Sequence, residues 1–368
     1  MLEYCLEGPA PDFESLGRVI KGEKQPQKVY FSELGIDIPI KQYITENVLG
    51  EKWIPPEKET REAYQQQMIN VYSRLGYDYI QIWVGWTNLP QFRERKAADT
   101  AGLSKGQRRW VEEGGGIVKS WDDFERIDWA NIKHDLGGAT RDDFHGLDYA
   151  KENLPDGMKM TVGFPFFEMI LEWFFGYEDL FILSVDNPKL VKAVFDQWGQ
   201  KVNEAYEEAV QYPEVGAIFH ADDLGYKTST MLSPEFLREN VFPWFKRYAC
   251  LAHEQGKMYW YHCCGNVSEV MEDLIEDVKI DAFHSFEDVI LPVGEFQSRY
   301  GGRVAALGGI DVDKLTRMDE TQLRKYVRET LNECMPGRYA LGSGNSVANY
   351  VPPQNYLAML DEGLKWNH

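Results

Sequence analysis

The strongest constraint on how this chain folds is a rhythm. From about residue 155 onward, short β-rich runs alternate with helical patterns, and each run closes on glycine or polar residues. Such alternation builds a parallel sheet, because parallel neighbours need a crossover that a helix supplies. Six runs fit, at residues 158–163, 215–220, 257–262, 280–284, 303–308 and 338–342, and two earlier ones at 28–34 and 77–83 have the same character. Eight is the number that closes a barrel of parallel strands inside a ring of helices, so the sequence predicts an α/β protein of the TIM-type (β/α)8 class.

The 368 residues are read as a single barrel domain, 1–368, with an N-terminal extension over 1–27 and an insertion over 87–157 after the second strand. A gap of that length exceeds one crossover helix and its loops, and the C-terminal face is where such excursions usually shape access to a site. Helix ends are legible as well. Ser233-Pro-Glu235 gives an N-cap hydroxyl, a first-turn proline and an acid, Asp319 heads a capping pattern, and a last helix from Pro352-Pro353 is expected to bury Leu357, Leu360 and Leu364. Cys334 falls on the apolar face of the helix after Asp319 and reads as core.

Charge narrows the partners. With 59 acidic against 39 basic side chains the formal charge is −20, which repels a phosphate backbone and argues against nucleic acid as ligand. No apolar run approaches a bilayer span and the first residues lack a basic and apolar leader, so a cytoplasmic location without membrane attachment is expected. Five unevenly spaced cysteines do not make a disulfide framework, and the adjacent pair Cys263-Cys264 reads as thiols open to a metal.

Active sites of such barrels form at the C-terminal ends of the strands, and here those ends are polar. The fourth run ends in His220-Ala-Asp222-Asp223, the fifth in His262-Cys-Cys264-Gly-Asn266, the sixth in His284-Ser-Phe-Glu287-Asp288, and the eighth in Gly342-Ser343-Gly344-Asn345, while Phe167-Glu168 follows the third. His262 and Cys264 are two apart, so the pleat aims both at one face and Cys263 at the other. An imidazole and a thiolate from one strand are half of a tetrahedral zinc site, and the alternative is a buried histidine beside two small apolar cysteines. Asp222 and Asp223 read either as acid, base or ligand, or as caps of the next helix; His220 and His284 read either as partners that orient a ligand or as ordinary strand-end histidines.

The segments Asp222-Asp223-Leu-Gly225, Leu232-Ser-Pro-Glu-Phe236, His262-Cys-Cys-Gly-Asn266, Gly308-Gly-Ile-Asp311 and Gly342-Ser-Gly-Asn345 with Pro352-Pro-Gln-Asn-Tyr356 resemble the uroporphyrinogen decarboxylase superfamily, most of all its corrinoid-dependent zinc methyltransferases. The resemblance implies a TIM barrel that moves a methyl group between a small methylated compound or thiol and a corrinoid protein, with one zinc ion in the site and methylcobamide supplied by that partner protein. It implies His262 and Cys264 as ligands. A third ligand in that family is a cysteine in a Gly-Cys-Gly turn, and here the position holds Ser343, so a carboxylate is expected to substitute, with Glu287 the leading candidate beside Glu168 and Asp222. Asp222, Asp223 and Glu168 are the expected catalytic acids, and Asn345, Tyr350 and His220 the expected substrate contacts. Two other readings remain. One is a metal-free decarboxylase, which the stretch 31–37 disfavours because it holds acids and no arginine, leaving Arg93 and Arg95 of the insertion as the available cations. The other is a binding subunit of the same fold that has lost catalysis, suggested by Ser343.

Overall fold

The computed structural model describes residues 6–366, apart from 93, 100, 102, 104–106, 112–114 and 138–145. All eight expected runs become strands of one parallel sheet: β1 (Tyr30–Phe31), β2 (Tyr79–Trp83), β3 (Lys159–Gly163), β4 (Val215–Ala221), β5 (Met258–His262), β6 (Ala282–His284), β7 (Ala305–Leu307) and β8 (Tyr339–Leu341). Their order is β1-β8-β7-β6-β5-β4-β3-β2, the sequential winding of a TIM-type barrel wall. The two edges are joined by side chains. Tyr79 Oη lies 2.8 Å from Ser32 Oγ, donates to the Glu33 carbonyl at 3.0 Å and accepts the Glu33 N–H at 3.1 Å.

Period-two alternation sorts each strand into two cores. Ala217, Phe219 and Ala221 of β4, Met258 and Trp260 of β5 and Ala282 of β6 share one buried cluster inside the barrel with Tyr30, Tyr79, Ala305, Leu307 and Ala340. Ile218, Tyr259, Tyr261 and Phe283 join the larger cluster between sheet and helices. The long helix Pro188–Ala209 supplies much of that outer layer through Leu190, Val194, Trp198, Val202 and Tyr206, an apolar stripe at helical spacing.

The N-terminal segment is part of this architecture. The helix Phe13–Ile20, capped by Asp12 on the Ser15 N–H, buries Phe13, Leu16, Val19 and Ile20 against the barrel-interior residues, with Phe13 stacked on Trp260 at 5.8 Å. At the entry to the insertion, Gly85–Thr87 pairs antiparallel with Lys133–Asp135, and within it Glu94–Ala98 pairs with Gln107–Val111. Asn349 Nδ2, in the loop after β8, donates to Asp99 Oδ2 at 2.7 Å and so ties the second hairpin to the C-terminal end of the sheet.

Local signals held where a cap or a stripe carried them. Ser233 accepts the Phe236 N–H, Asp319 accepts the Gln322 N–H, and Cys334 is buried. Leu364 is the exception: Leu357 and Leu360 are buried, but Leu364, in the last turn, is 42% exposed. Among the described residues no helix is long and apolar enough to cross a membrane.

Candidate metal centre

The donors converge where β4 and β5 end. One ligand atom each from Asp223, His262 and Cys264 lies within 4.8 Å of the other two. His262 Nε2 is 3.4 Å from Cys264 Sγ and 3.6 Å from Asp223 Oδ1. Each group is held by a neighbour. The Cys264 N–H donates to Asp223 Oδ1 at 2.7 Å, and Asn345 Nδ2 donates to Cys264 Sγ at 3.0 Å. His262 Nδ1 meets His284 Nδ1 at 2.6 Å, and His284 Nε2 donates to the Ser343 carbonyl at 3.1 Å.

Local backbone explains why the donors can meet. His262 continues the inward parity of Met258 and Trp260, whereas Cys263 belongs to the outer apolar cluster and accepts the Leu224 N–H at 3.2 Å. Gly265 then turns at φ +79°, and a Cβ there would sit 2.3 Å from the Gly225 carbonyl carbon. Glycine on both sides lets the loops after β4 and β5 touch, which draws Asp223 to the His–Cys pair.

The electrostatics suit a cation. Burial pulls His262 down to about 3 and His284 well below the usual imidazole range, so both rings are neutral. Burial, followed by the charge of Asp223, pushes the Cys264 thiol up. Glu168 is pushed well above the usual carboxyl range by burial and by the charges of Asp223 and Asp222, and its side chain hydrogen-bonds Asp223. Asp223 itself is raised by burial. Two neighbouring acids beside a buried thiol that resists ionisation are an environment that a divalent ion relieves.

Other expected site residues fall elsewhere. Asp222 is fully buried and accepts backbone N–H groups from Phe166 at 3.0 Å, Phe167 at 2.5 Å and Glu168 at 2.7 Å. Its carboxylate is saturated, so it holds the loop after β3 rather than facing substrate. His220 lies outside the barrel wall, bridging the Tyr206 hydroxyl at 3.0 Å and Asp222 Oδ2 at 3.2 Å among the rings of Phe245, Tyr248, Tyr259 and Tyr261. It is a wall residue because β4 points Phe219 and Ala221 inward.

The carboxylate beside the His–Cys pair is Asp223, where the sequence pointed to Glu287. Glu287 instead opens a turn after β6 and, with Asp288, Val289, Asp311, Asn345 and Tyr350, lines a groove of about 520 Å³. Tyr350 stands on its rim, half exposed. Ser343, at the position of the expected cysteine, is fully buried, with its N–H donated to Glu33 Oε1 at 2.8 Å. Its hydroxyl lies 2.5 Å from Glu33 Oε2 and 2.9 Å from the Asn345 carbonyl. Arg93 lies outside the described residues; Arg95 sits in the insertion hairpin opposite Trp110.

Glu33 was missed. Burial with no cation beside it raises this carboxyl to about 8. The signal was available: an acid between Phe31 and Leu34 at the end of a barrel strand, without a nearby base.

Two solved structures share the architecture of this chain. A methyltransferase from Methanosarcina mazei superposes with a TM-score of 0.64 at 14% identity, over 95% of this chain and 96% of that one. The likeness is one of fold: the two chains share the TIM-type barrel architecture along nearly their whole lengths. A Listeria monocytogenes protein described as a candidate vitamin-B12 independent methionine synthase matches with a TM-score of 0.50 at 13% identity, over 94% of this chain and all of that one. No protein-family model and no curated protein sequence matches the chain.

Proposed function

We propose that the chain is a methyltransferase with a mononuclear zinc centre held by Asp223, His262 and Cys264, moving a methyl group between a small methylated compound or thiol and a corrinoid carried as methylcobamide on a partner protein. The observation that carries this reading is the convergence of one nitrogen, one sulfur and one carboxylate oxygen at the C-terminal mouth of a barrel with a methyltransferase fold. The donor set fits zinc, since three protein ligands with a fourth position left for substrate is the usual catalytic arrangement.

When bound, zinc supplies Lewis acidity that polarises a methyl-bearing heteroatom or holds an acceptor thiol as thiolate. The chain's own groups do the rest. Asn345 donates to Cys264 Sγ and steadies it, and the Cys264 N–H fixes the Asp223 oxygen that faces His262. Glu168 holds a proton beside Asp223 and delivers it to the heteroatom that takes the electron pair when its bond to the methyl carbon breaks. The groove that Asn345 shares with Glu287 and Tyr350 has the size of a small-molecule site, and Asn345 links its lining to Cys264 Sγ.

Zinc-loaded protein should change the absorbance of free cobalamin in one of two assays: methylcobalamin with a panel of thiols, or reduced cobalamin with methoxy-aromatic and methylamine compounds. Cys264→Ala should remove that change. A fully zinc-loaded protein that leaves both corrinoid forms untouched across the panel overturns the methyl-transfer reading.

A further inference from the structure

Two buried histidines meet nitrogen to nitrogen, and such a contact admits one arrangement of protons. His284 Nε2 faces the Ser343 carbonyl at 3.1 Å, and a carbonyl can only accept, so this nitrogen carries the hydrogen. With the ring neutral, His284 Nδ1 is then a lone pair. It stands 2.6 Å from His262 Nδ1, which must therefore be the donor. The second nitrogen of His262, Nε2, is left bare, and it is the one that faces Cys264 Sγ and Asp223 Oδ1.

We propose that His284 is a positioning residue: anchored on the Ser343 carbonyl, it fixes His262 in the tautomer that presents an unprotonated Nε2 to the Asp223–Cys264 pair. The inference rests on the metal reading for its purpose, and on hydrogen-bond geometry for its content.

Three further observations show that the arrangement is built in. Both rings are buried, with no carboxylate hydrogen-bonded to His284 among the described residues, so neither solvent nor an acid competes for its Nδ1. Ser343 is clamped from the other side by Glu33, through its N–H at 2.8 Å and its hydroxyl, which holds the carbonyl in place. Gly308, at φ +87°, is packed against both partners. A Cβ there would sit 2.3 Å from the Ser343 oxygen and 2.8 Å from His284 Nε2, so this stretch of β7's exit has to be bare backbone. The residue at the position of the family's third cysteine thus acts on the centre through its carbonyl rather than its side chain.

Free imidazole favours the opposite tautomer, with hydrogen on Nε2, so the relay has a spectroscopic signature that needs no metal. In metal-free protein labelled with 15N-histidine, long-range 1H–15N correlation should show His262 protonated at Nδ1 and His284 at Nε2. His284→Gln keeps an acceptor for His262 and a donor for Ser343, so it should preserve the His262 tautomer and hold cobalt(II) within about threefold of wild type. His284→Leu should release His262 to the Nε2–H form and weaken cobalt(II) binding by roughly 10- to 100-fold, the usual effect of losing a ligand's hydrogen-bond partner. His262 protonated at Nε2 in the wild-type protein, or a Leu variant with unchanged tautomer and affinity, overturns the proposal. Should wild type show the expected tautomers yet bind no cobalt(II), the relay stands and the metal reading falls.

Discussion

Two strand ends of this barrel carry the same residue types and do opposite work. At the end of β4, His220 and Asp222 point outward, into the layer between sheet and helices, where both are fully partnered: Asp222 takes three backbone N–H groups and His220 links it to Tyr206. At the end of β5, His262 and Cys264 point into the mouth and meet Asp223, with their donor atoms facing one another. Neighbours in sequence are thereby divided: Asp222 from Asp223, Cys263 from Cys264. Residue type alone does not mark a site. A saturated hydrogen-bond set marks a wall, and converging donors mark a centre.

The largest effect that separates the two regions is on stability. Asp222→Ala leaves three buried N–H groups and His220 without their acceptor, and should cost about 3–5 kcal/mol in urea unfolding, the range for breaking a buried charged network. Asp223→Ala, at the open mouth, should cost less than about 1 kcal/mol while removing the proposed carboxylate ligand. Equal losses at the two positions would erase the distinction.

A smaller effect comes from Glu33, which ties the first strand to the relay. Its carboxyl is raised from the usual value to about 8, so between about pH 4.5 and about 8 the native state binds a proton that the unfolded chain has released. Stability contributed by this group is therefore fully present below the unfolded value and is lost as pH rises through the window. The Glu33→Gln variant lacks that loss. Its stability relative to wild type should rise steadily across the window and then level off, as read from urea midpoints along a pH series. A constant difference would show that Glu33 is charged in the fold.

Much of this was legible in the sequence, because the signals were periodic. Eight β-rich runs gave eight strands, and the two-residue spacing of His262 and Cys264 placed both in the mouth and Cys263 in the outer core. The same rule, applied to β4, separates Phe219 and Ala221 from His220, since a small or aromatic residue fits the barrel interior at alternate positions. That parity takes His220 and Asp222, both expected at the site, into the wall instead. Glu287 was not readable in this way: it follows β6 by three residues in a turn, where period two no longer applies. Nor was the part played by Ser343, because a side chain's identity says nothing about where its carbonyl points.

The account centres on a single metal ion at Asp223, His262 and Cys264, and metal stoichiometry against the two adjacent cysteines tests it most directly. Titrated with cobalt(II) after chelator treatment, wild type and Cys263→Ala should each bind one equivalent with a thiolate-to-metal charge-transfer band, whereas Cys264→Ala should lose the band and most of the binding. A wild-type protein that binds no ion, or a Cys264→Ala variant with wild-type stoichiometry and spectrum, would contradict it.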